Sequence, residues 1–359
     1  MIKNKGIFLM SIILASMLVG CFSGKNSDLA DAPRDYKPDA AVENGDIAAE
    51  ISKTSNENSE QPRIDSIYMI DETTGWALSS GRIIRTTNGC EDWEDATPTD
   101  GAFHPLINGP DRIGTCFPDN NTAFLAVGTK LQDKPGVVVF HTSDGGKDWD
   151  KKVLPTTEEW EGTNYQIISF TDLQNGWILV TATPGASQMF KSIYRTRDGG
   201  STWVKISNSN INEKVSFYPD GMIFRTSDEG WISTSNPANA AGNDNQVYKT
   251  DDGGVNWELE DLSMPEEYKE SCYYYPYVPA FFGKDKKDGV MLLQFVNFEN
   301  IEDRQSVLYN TSDGGRTWSK SQDPGNTELS CFDFTNATHW WAVGSGKSKL
   351  YKTDNGGES

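Results

Sequence analysis

One short string, Thr-x-Asp-Gly-Gly-x-Thr-Trp with variations, recurs along this chain and leaves few folds open to it. It reads TSDGGKDW at 142–149, TRDGGSTW at 196–203, TDDGGVNW at 250–257 and TSDGGRTW at 311–318. A weaker copy, TTNGCEDW, lies at 86–93, and an incomplete one, TDNGGES, at 353–359. The acid or amide falls at Asn88, Asp144, Asp198, Asp252, Asp313 and Asn355, with gaps of 56, 54, 54, 61 and 42 residues. Self-similarity on this scale marks a chain built from stacked supersecondary units, none of which buries its apolar face alone.

The residue types explain the turn. An Asp or Asn side chain accepts backbone N–H bonds across a tight turn, and glycine supplies positive φ without a Cβ clash. The Thr hydroxyl helps to satisfy the same turn. Trp93, Trp149, Trp203, Trp257 and Trp318 leave it with a large apolar face and an indole N–H that seeks an acceptor. The six acid or amide positions and these five tryptophans are therefore read as scaffold. Asp144, Asp148 and Asp150 suggest a calcium loop, but their spacing does not match an EF-hand. No metal and no cofactor is expected.

A second pattern precedes each turn. Ile67-Tyr68 leads to Gly75-Trp76, Ile167-Ile168-Ser169-Phe170 to Gly176-Trp177, Met222-Ile223-Phe224 to Gly230-Trp231, and Cys331-Phe332-Asp333-Phe334 to Trp340-Trp341. Copies at 122–125 and 288–291 lack the tryptophan. Each unit thus reads as four short strands, A to D, with the repeated turn between C and D. The predicted fold is all-β, a β-propeller of four-stranded blades, six or seven in number. The string stops one residue short of a sixth turn Trp. Either a longer chain continues it, or the last blade takes its D strand from around 46–53.

The N-terminal end addresses the compartment. Lys3 and Lys5 precede an apolar run at 7–19, too short to span a bilayer comfortably but of the length of a signal-peptide core. The run ends in Leu18-Val19-Gly20-Cys21, which resembles the lipobox of bacterial lipoproteins. Three parts follow: a signal peptide at 1–20, a tether at 21–61 and the propeller at 62–359. In this reading Cys21 carries a diacylglyceryl anchor, and the mature chain is held extracytoplasmically on the bacterial cell membrane. The tether is rich in Asp, Glu, Asn, Ser, Ala and Pro, which cannot offset the entropy of ordering. The formal charge of −20 makes nucleic acid an unsuitable partner. Cys90, Cys116, Cys272 and Cys331 match no metal spacing, and their disulfide state is left open.

The repeated turns resemble the BNR repeats shared by sialidases, sortilin-type receptors and xyloglucan-cleaving glycosidases. Combined with the Ile-x-Phe-x-Asp…Gly-Trp-Ala-Val pattern, the chain is similar to the photosystem II stability and assembly factor family from about Ile64 onward. That resemblance implies a non-enzymatic propeller that binds a membrane protein during assembly. It names no client here.

In a propeller the B–C and D–A connections share the face opposite the repeated turns. Those at 233–246 and 262–282 are long, and a further one carries Trp160. Trp160, Tyr273, Tyr274, Tyr275 and Tyr277 form the candidate binding surface, since aromatics with a polar tip suit binding loops. Phe281 and Phe282 are assigned to the core between blades. Catalysis finds little support. The Phe/Tyr-Arg-Ile-Pro signature of sialidases is missing, carboxylate pairs such as Glu266-Glu267 are commonplace in so acidic a chain, and His104, His141 and His339 are scattered. The favoured function is partner binding, with a carbohydrate- or wall-binding propeller second and a sialidase-type glycosidase third.

Overall fold

The computed structural model describes residues 62–354, apart from 104–112, 132–133, 156–162, 185–188, 237–244, 261, 263–264, 270, 301–302, 322–328, 337 and 345–348. Blade 1 holds β1 (Ser66–Met69), β2 (Gly75–Ser79), β3 (Arg82–Thr86) and β4 (Glu94–Asp95). Blade 2 holds β5 (Gly114–Cys116), β6 (Ala123–Leu131), β7 (Lys134–Thr142) and β8 (Asp150–Val153). Blade 3 holds β9 (Thr163–Phe170), β10 (Gly176–Pro184), β11 (Met189–Thr196) and β12 (Val204–Lys205), and a short helix α1 (Asn210–Lys214) follows it. Blade 4 holds β13 (Tyr218–Phe224), β14 (Gly230–Ser235), β15 (Gln246–Thr250) and β16 (Glu258–Leu259). Blade 5 holds β17 (Cys272–Pro276), β18 (Ala280–Phe282), β19 (Asp288–Asn297), β20 (Arg304–Thr311) and β21 (Ser319–Lys320). Blade 6 contributes β22 (Leu329–Phe334), β23 (Trp340–Gly344) and β24 (Leu350–Thr353) among the described residues.

The blades are antiparallel meanders, of consecutive strands except in blade 5, where β17 and β18 both pair with β19, and the six make a β-propeller. Burial falls from the inside outward. Every residue of β1 and β2 is buried, because both faces of an inner strand meet a neighbouring blade. The outermost strands β4, β16 and β21 are two residues long and exposed. Edges this short offer little backbone to a foreign strand.

The second sequence pattern joins neighbouring blades. Trp177 of blade 3 stacks on Phe224 of blade 4 at a centroid distance of 3.9 Å. Phe124 does the same on Phe170 at 3.7 Å, so phenylalanine serves where blade 2 lacks the tryptophan. Trp76 on Phe117 and Trp231 on Phe281 repeat the contact. The glycine before the tryptophan has the complementary task. A Cβ on Gly176 would stand 2.5 Å from the Phe170 ring of its own blade, and one on Gly230 would stand 2.7 Å from Phe224. Phe170, Phe224 and Phe281 are therefore each clamped between a glycine of their own blade and an aromatic ring of the preceding one.

The ring closes where β1 packs against β22 and β23. Ile67, Met69 and Cys90 share an apolar cluster there with Cys331, Trp341 and Val343. Blades 1 and 6 touch directly, so the described ring closes at six, and the seven-blade alternative gives way.

Candidate functional site

The repeated turns close on themselves. In blade 2, Thr142 Oγ1 donates to Asp144 Oδ1 at 2.8 Å and accepts the Gly146 N–H at 3.0 Å. The N–H groups of Lys147 and Asp148 then donate to the same Asp144 oxygen, each at 3.1 Å. Blades 3, 4 and 5 repeat the arrangement around Asp198, Asp252 and Asp313. Asn88 performs it in blade 1 with an amide oxygen. These donors hold the carboxyls of Asp144, Asp198 and Asp313 below the usual range, led by the Asp148 N–H, the Thr202 hydroxyl and the Thr317 hydroxyl respectively. A carboxylate whose lone pairs are spent in this way is a poor proton shuttle. Of the turn tryptophans, Trp149 donates to Ala96 and Gly146 carbonyls and Trp257 to that of Gly254. Trp203 is buried, while Trp93 and Trp318 are half-buried.

One regular feature was not anticipated. In every blade but blade 5, where Asn310 stands there, the residue before the turn Thr carries a cation or an imidazole that lies over an aromatic of the neighbouring strand. Arg195 sits 4.8 Å from the Trp177 ring, Arg85 5.7 Å from Trp76, Lys249 5.7 Å from Trp231 and Lys352 5.3 Å from Trp341. His141 stacks on Phe124 at 4.5 Å. The pairs are cross-strand neighbours in register, as with Trp177 and Arg195. The string Arg/Lys-Thr-x-Asp was visible in the sequence, but its meaning needed the register.

The candidate aromatic surface falls on blade 5. Tyr273, Tyr274 and Tyr275 lie on β17, which pairs with the far half of β19. They were assigned to a connecting loop and instead form an inner strand. Pro276 and Pro279, which lack an N–H, break that strand, and β18 resumes it against the near half of β19. Alternation then splits the tyrosines between two faces. Tyr274 lies with Phe295, which stacks on Tyr268 at 4.3 Å. Tyr273 lies with Tyr275 at 5.5 Å and with Phe298 at 5.9 Å. Tyr274 and Tyr275 are half-buried, Phe298 is 37% exposed, and Tyr273 and Tyr277 are buried. Burial, with Tyr273 beside it, pushes the Tyr275 hydroxyl up to about 12, so this surface is neutral. Charge returns at its rim, where Lys320 pairs with Glu267 and lies over the Tyr268 ring, and Lys269 pairs with Glu266.

Across blade 5, Tyr275, Gln294 and Ser306 form one cross-strand row. Gln294 is 8% exposed, and its Oε1 has no hydrogen-bond partner among the described residues. A buried acceptor left in that state costs about 1–3 kcal/mol, so it suits a donor brought from outside. Phe282 is buried, and Phe281 packs between Trp231 and Trp318, as the sequence suggested. Trp160, Asn355 and Cys21 lie outside the described residues. Cys90, Cys116, Cys272 and Cys331 are buried and outside any disulfide. Among the described residues, no group of three or more His, Cys, Asp or Glu is gathered as metal ligands would be.

Near the axis the inner strands meet in neutral groups. Thr115 Oγ1 of blade 2 donates to the Tyr68 hydroxyl of blade 1 at 2.8 Å. Cys331 of blade 6 is within electrostatic reach of both Tyr68 and Tyr277. Burial pushes the Tyr68 hydroxyl up to about 12. Arginines are held in local pairs, Arg63 with Asp65 and Arg225 with Glu229.

A family model described as the DUF6242 beta propeller domain matches residues 49–295. The chain belongs to this family. No curated protein matches the sequence. Among solved structures, this DUF6242 propeller is similar to YCF48 bound to a D1 peptide, at 17% identity and a TM-score of 0.45, over 82% of this chain and 94% of that one. It is similar to YCF48 from Cyanidioschyzon merolae at 15% identity and a TM-score of 0.42, over 82% and 96% of the two chains. The GH74 xyloglucanase from Xanthomonas campestris is similar at 12% identity and a TM-score of 0.46, over 83% of this chain and 48% of the enzyme.

Proposed function

We propose that this DUF6242 propeller is a non-enzymatic binding protein, that its partner is a protein, and that the partner docks on the aromatic end of blade 5. The observation that carries the reading is the aromatic end of blade 5, where Tyr274 on one face of β17, and Tyr275 and Phe298 joined through Tyr273 on the other, are partly exposed, with charged pairs at the rim beside Tyr268. Rigid aromatics at the centre of a patch and charge at its edge are the anatomy of a protein interface. The spent carboxylates of the repeated turns argue against acid–base chemistry at those positions. The sequence resemblance to assembly factors points the same way. In this reading the anchor at Cys21 keeps the propeller beside a membrane complex whose assembly or stability it assists.

The test is cross-linking of the full chain in its native cells, followed by purification and mass spectrometry. One dominant protein partner, lost on Tyr274→Ala with Tyr275→Ala but kept on Leu259→Ala, supports the proposal. Retention of that partner in the double variant removes blade 5 as the site. Recovery of cell-wall glycan in place of protein transfers the surface to a carbohydrate-binding role.

A further inference from the structure

At three seams, one inner-strand side chain takes the backbone N–H of the next blade. In blade 3, Ser169 lies seven residues before the strand-opening Gly176, and its hydroxyl accepts the Phe224 N–H of blade 4 at 3.0 Å. Cys116 occupies the same place in blade 2, with its thiol against the Phe170 N–H of blade 3. Asp333 occupies it in blade 6, seven residues before Trp340, and its carboxyl accepts the Met69 N–H of blade 1. The ring thus closes on an ionisable side chain where the other two seams use a hydroxyl and a thiol.

We propose that Asp333 is a proton-operated latch on the propeller ring: the seam between blades 6 and 1 is held shut when its carboxyl is protonated and loosens when it ionises. Asp333 is 3% exposed, and among the described residues no cation pairs with it. Along its row, the Trp341 indole stands between it and Lys352, in the order Asp333, Trp341, Lys352. Lys352 Nζ lies over that indole and pairs with Glu72 of blade 1 at 3.6 Å. Its own strand adds Cys331, and blade 1 adds Cys90, with Tyr68 on the far side of β1. Burial pushes the Cys90 thiol up to about 12, and so it stays neutral as the carboxyl titrates. Burial also pushes the Asp333 carboxyl up to about 7, against the opposing pull of the Met69 N–H. The folded value exceeds the unfolded one. The closed seam therefore binds more protons, and its stability falls as pH rises from about 4 to about 7, with no further loss above that.

Cys90 and Cys331 report on this seam, and Cys116, between blades 2 and 3, serves as the reference. The full chain is pulsed with a maleimide at mildly acidic and at mildly alkaline pH, and the modified cysteines are counted by mass spectrometry. The ratio of Cys90 and Cys331 labelling to Cys116 labelling should rise roughly tenfold from mildly acidic to mildly alkaline pH. It should stay flat in Asp333→Asn, which keeps an acceptor for the Met69 N–H. Asp333→Ser, which copies the blade 3 seam, gives the same readout if the amide variant fails to fold. A flat ratio in the natural chain, or an equal rise in the folded variant, overturns the latch.

Discussion

Lys286, in the first turn of blade 5, reaches past blade 4 and donates from its Nζ to the Thr171 carbonyl of blade 3 at 2.9 Å. Burial draws its ammonium below the ordinary lysine value, and Asp172 beside Thr171 opposes that shift. The contact ties two non-adjacent blades together near the axis on the side of the repeated turns. It is a neutral carbonyl, not a carboxylate, that holds the charge.

Removing this tie should be measurable. Lys286→Ala is expected to lower unfolding stability by about 1 kcal/mol in urea, the net worth of one hydrogen bond. Lys286 also has a left-handed φ of 49°. Lys286→Gly should therefore recover about 0.5–1 kcal/mol of the loss, since glycine takes that backbone without strain. Equal stabilities for the two variants would show that the backbone is unstrained.

The threonine of the repeated turn carries a more severe penalty. Thr250 is buried, and its hydroxyl accepts the Gly254 N–H at 3.0 Å while donating to Asp252. Thr250→Val keeps the shape but strands a buried donor, and should cost about 1–3 kcal/mol. Thr250→Ser restores the hydroxyl and should cost much less. Paired urea titrations give the comparison, and similar losses would assign the role to the methyl group.

Acid should loosen the same turns. The carboxyls of Asp144, Asp198 and Asp313 sit below their ordinary value in the folded chain. Their contribution is complete above the unfolded value near about 3.9 and is lost as pH falls below it. Asp313→Asn copies the amide of Asn88 and removes one titrating group. It should lower the Tm at mildly acidic pH slightly and narrow the gap between that Tm and the one near pH 3. A gap unchanged by the substitution would place acid sensitivity elsewhere.

How much of this was legible in the sequence depends on the range of the interaction. The turn at Thr142 to Trp149 is local chemistry, so its residues announced the hairpin and, by repetition, the propeller. Trp177 and Phe224 were each recognised, but not their contact, because stacking between blades is set by ring geometry that no single unit contains. Arg195 escaped notice for a related reason: only the register of β10 and β11 places it beside Trp177. The tyrosines of blade 5 looked like loop residues because they fall in the long connection at 262–282 between two blades. The ten-residue β19 nevertheless offers enough edge for two short strands in succession. Asp333 carried no sequence signal, since an Asp before an aromatic is unremarkable until burial removes its water.

The clamp on Phe170 permits a stricter test. Gly176 faces the Phe170 ring, and Phe170 in turn stacks on Phe124 of blade 2. Gly176→Ala brings a Cβ to 2.5 Å from that ring, with Phe124 blocking its escape on the other side. Overpacking of this kind costs about 1–3 kcal/mol. Phe170→Ala alone should cost about 3–5 kcal/mol through the cavity it opens. If the clamp is real, the two penalties cannot add: once the ring is gone, the new methyl group meets empty space and partly fills it. The double variant should then be no less stable than Phe170→Ala alone, with a coupling of about 1–3 kcal/mol. Simple additivity in that cycle would mean that the glycine serves the backbone and not the aromatic ring.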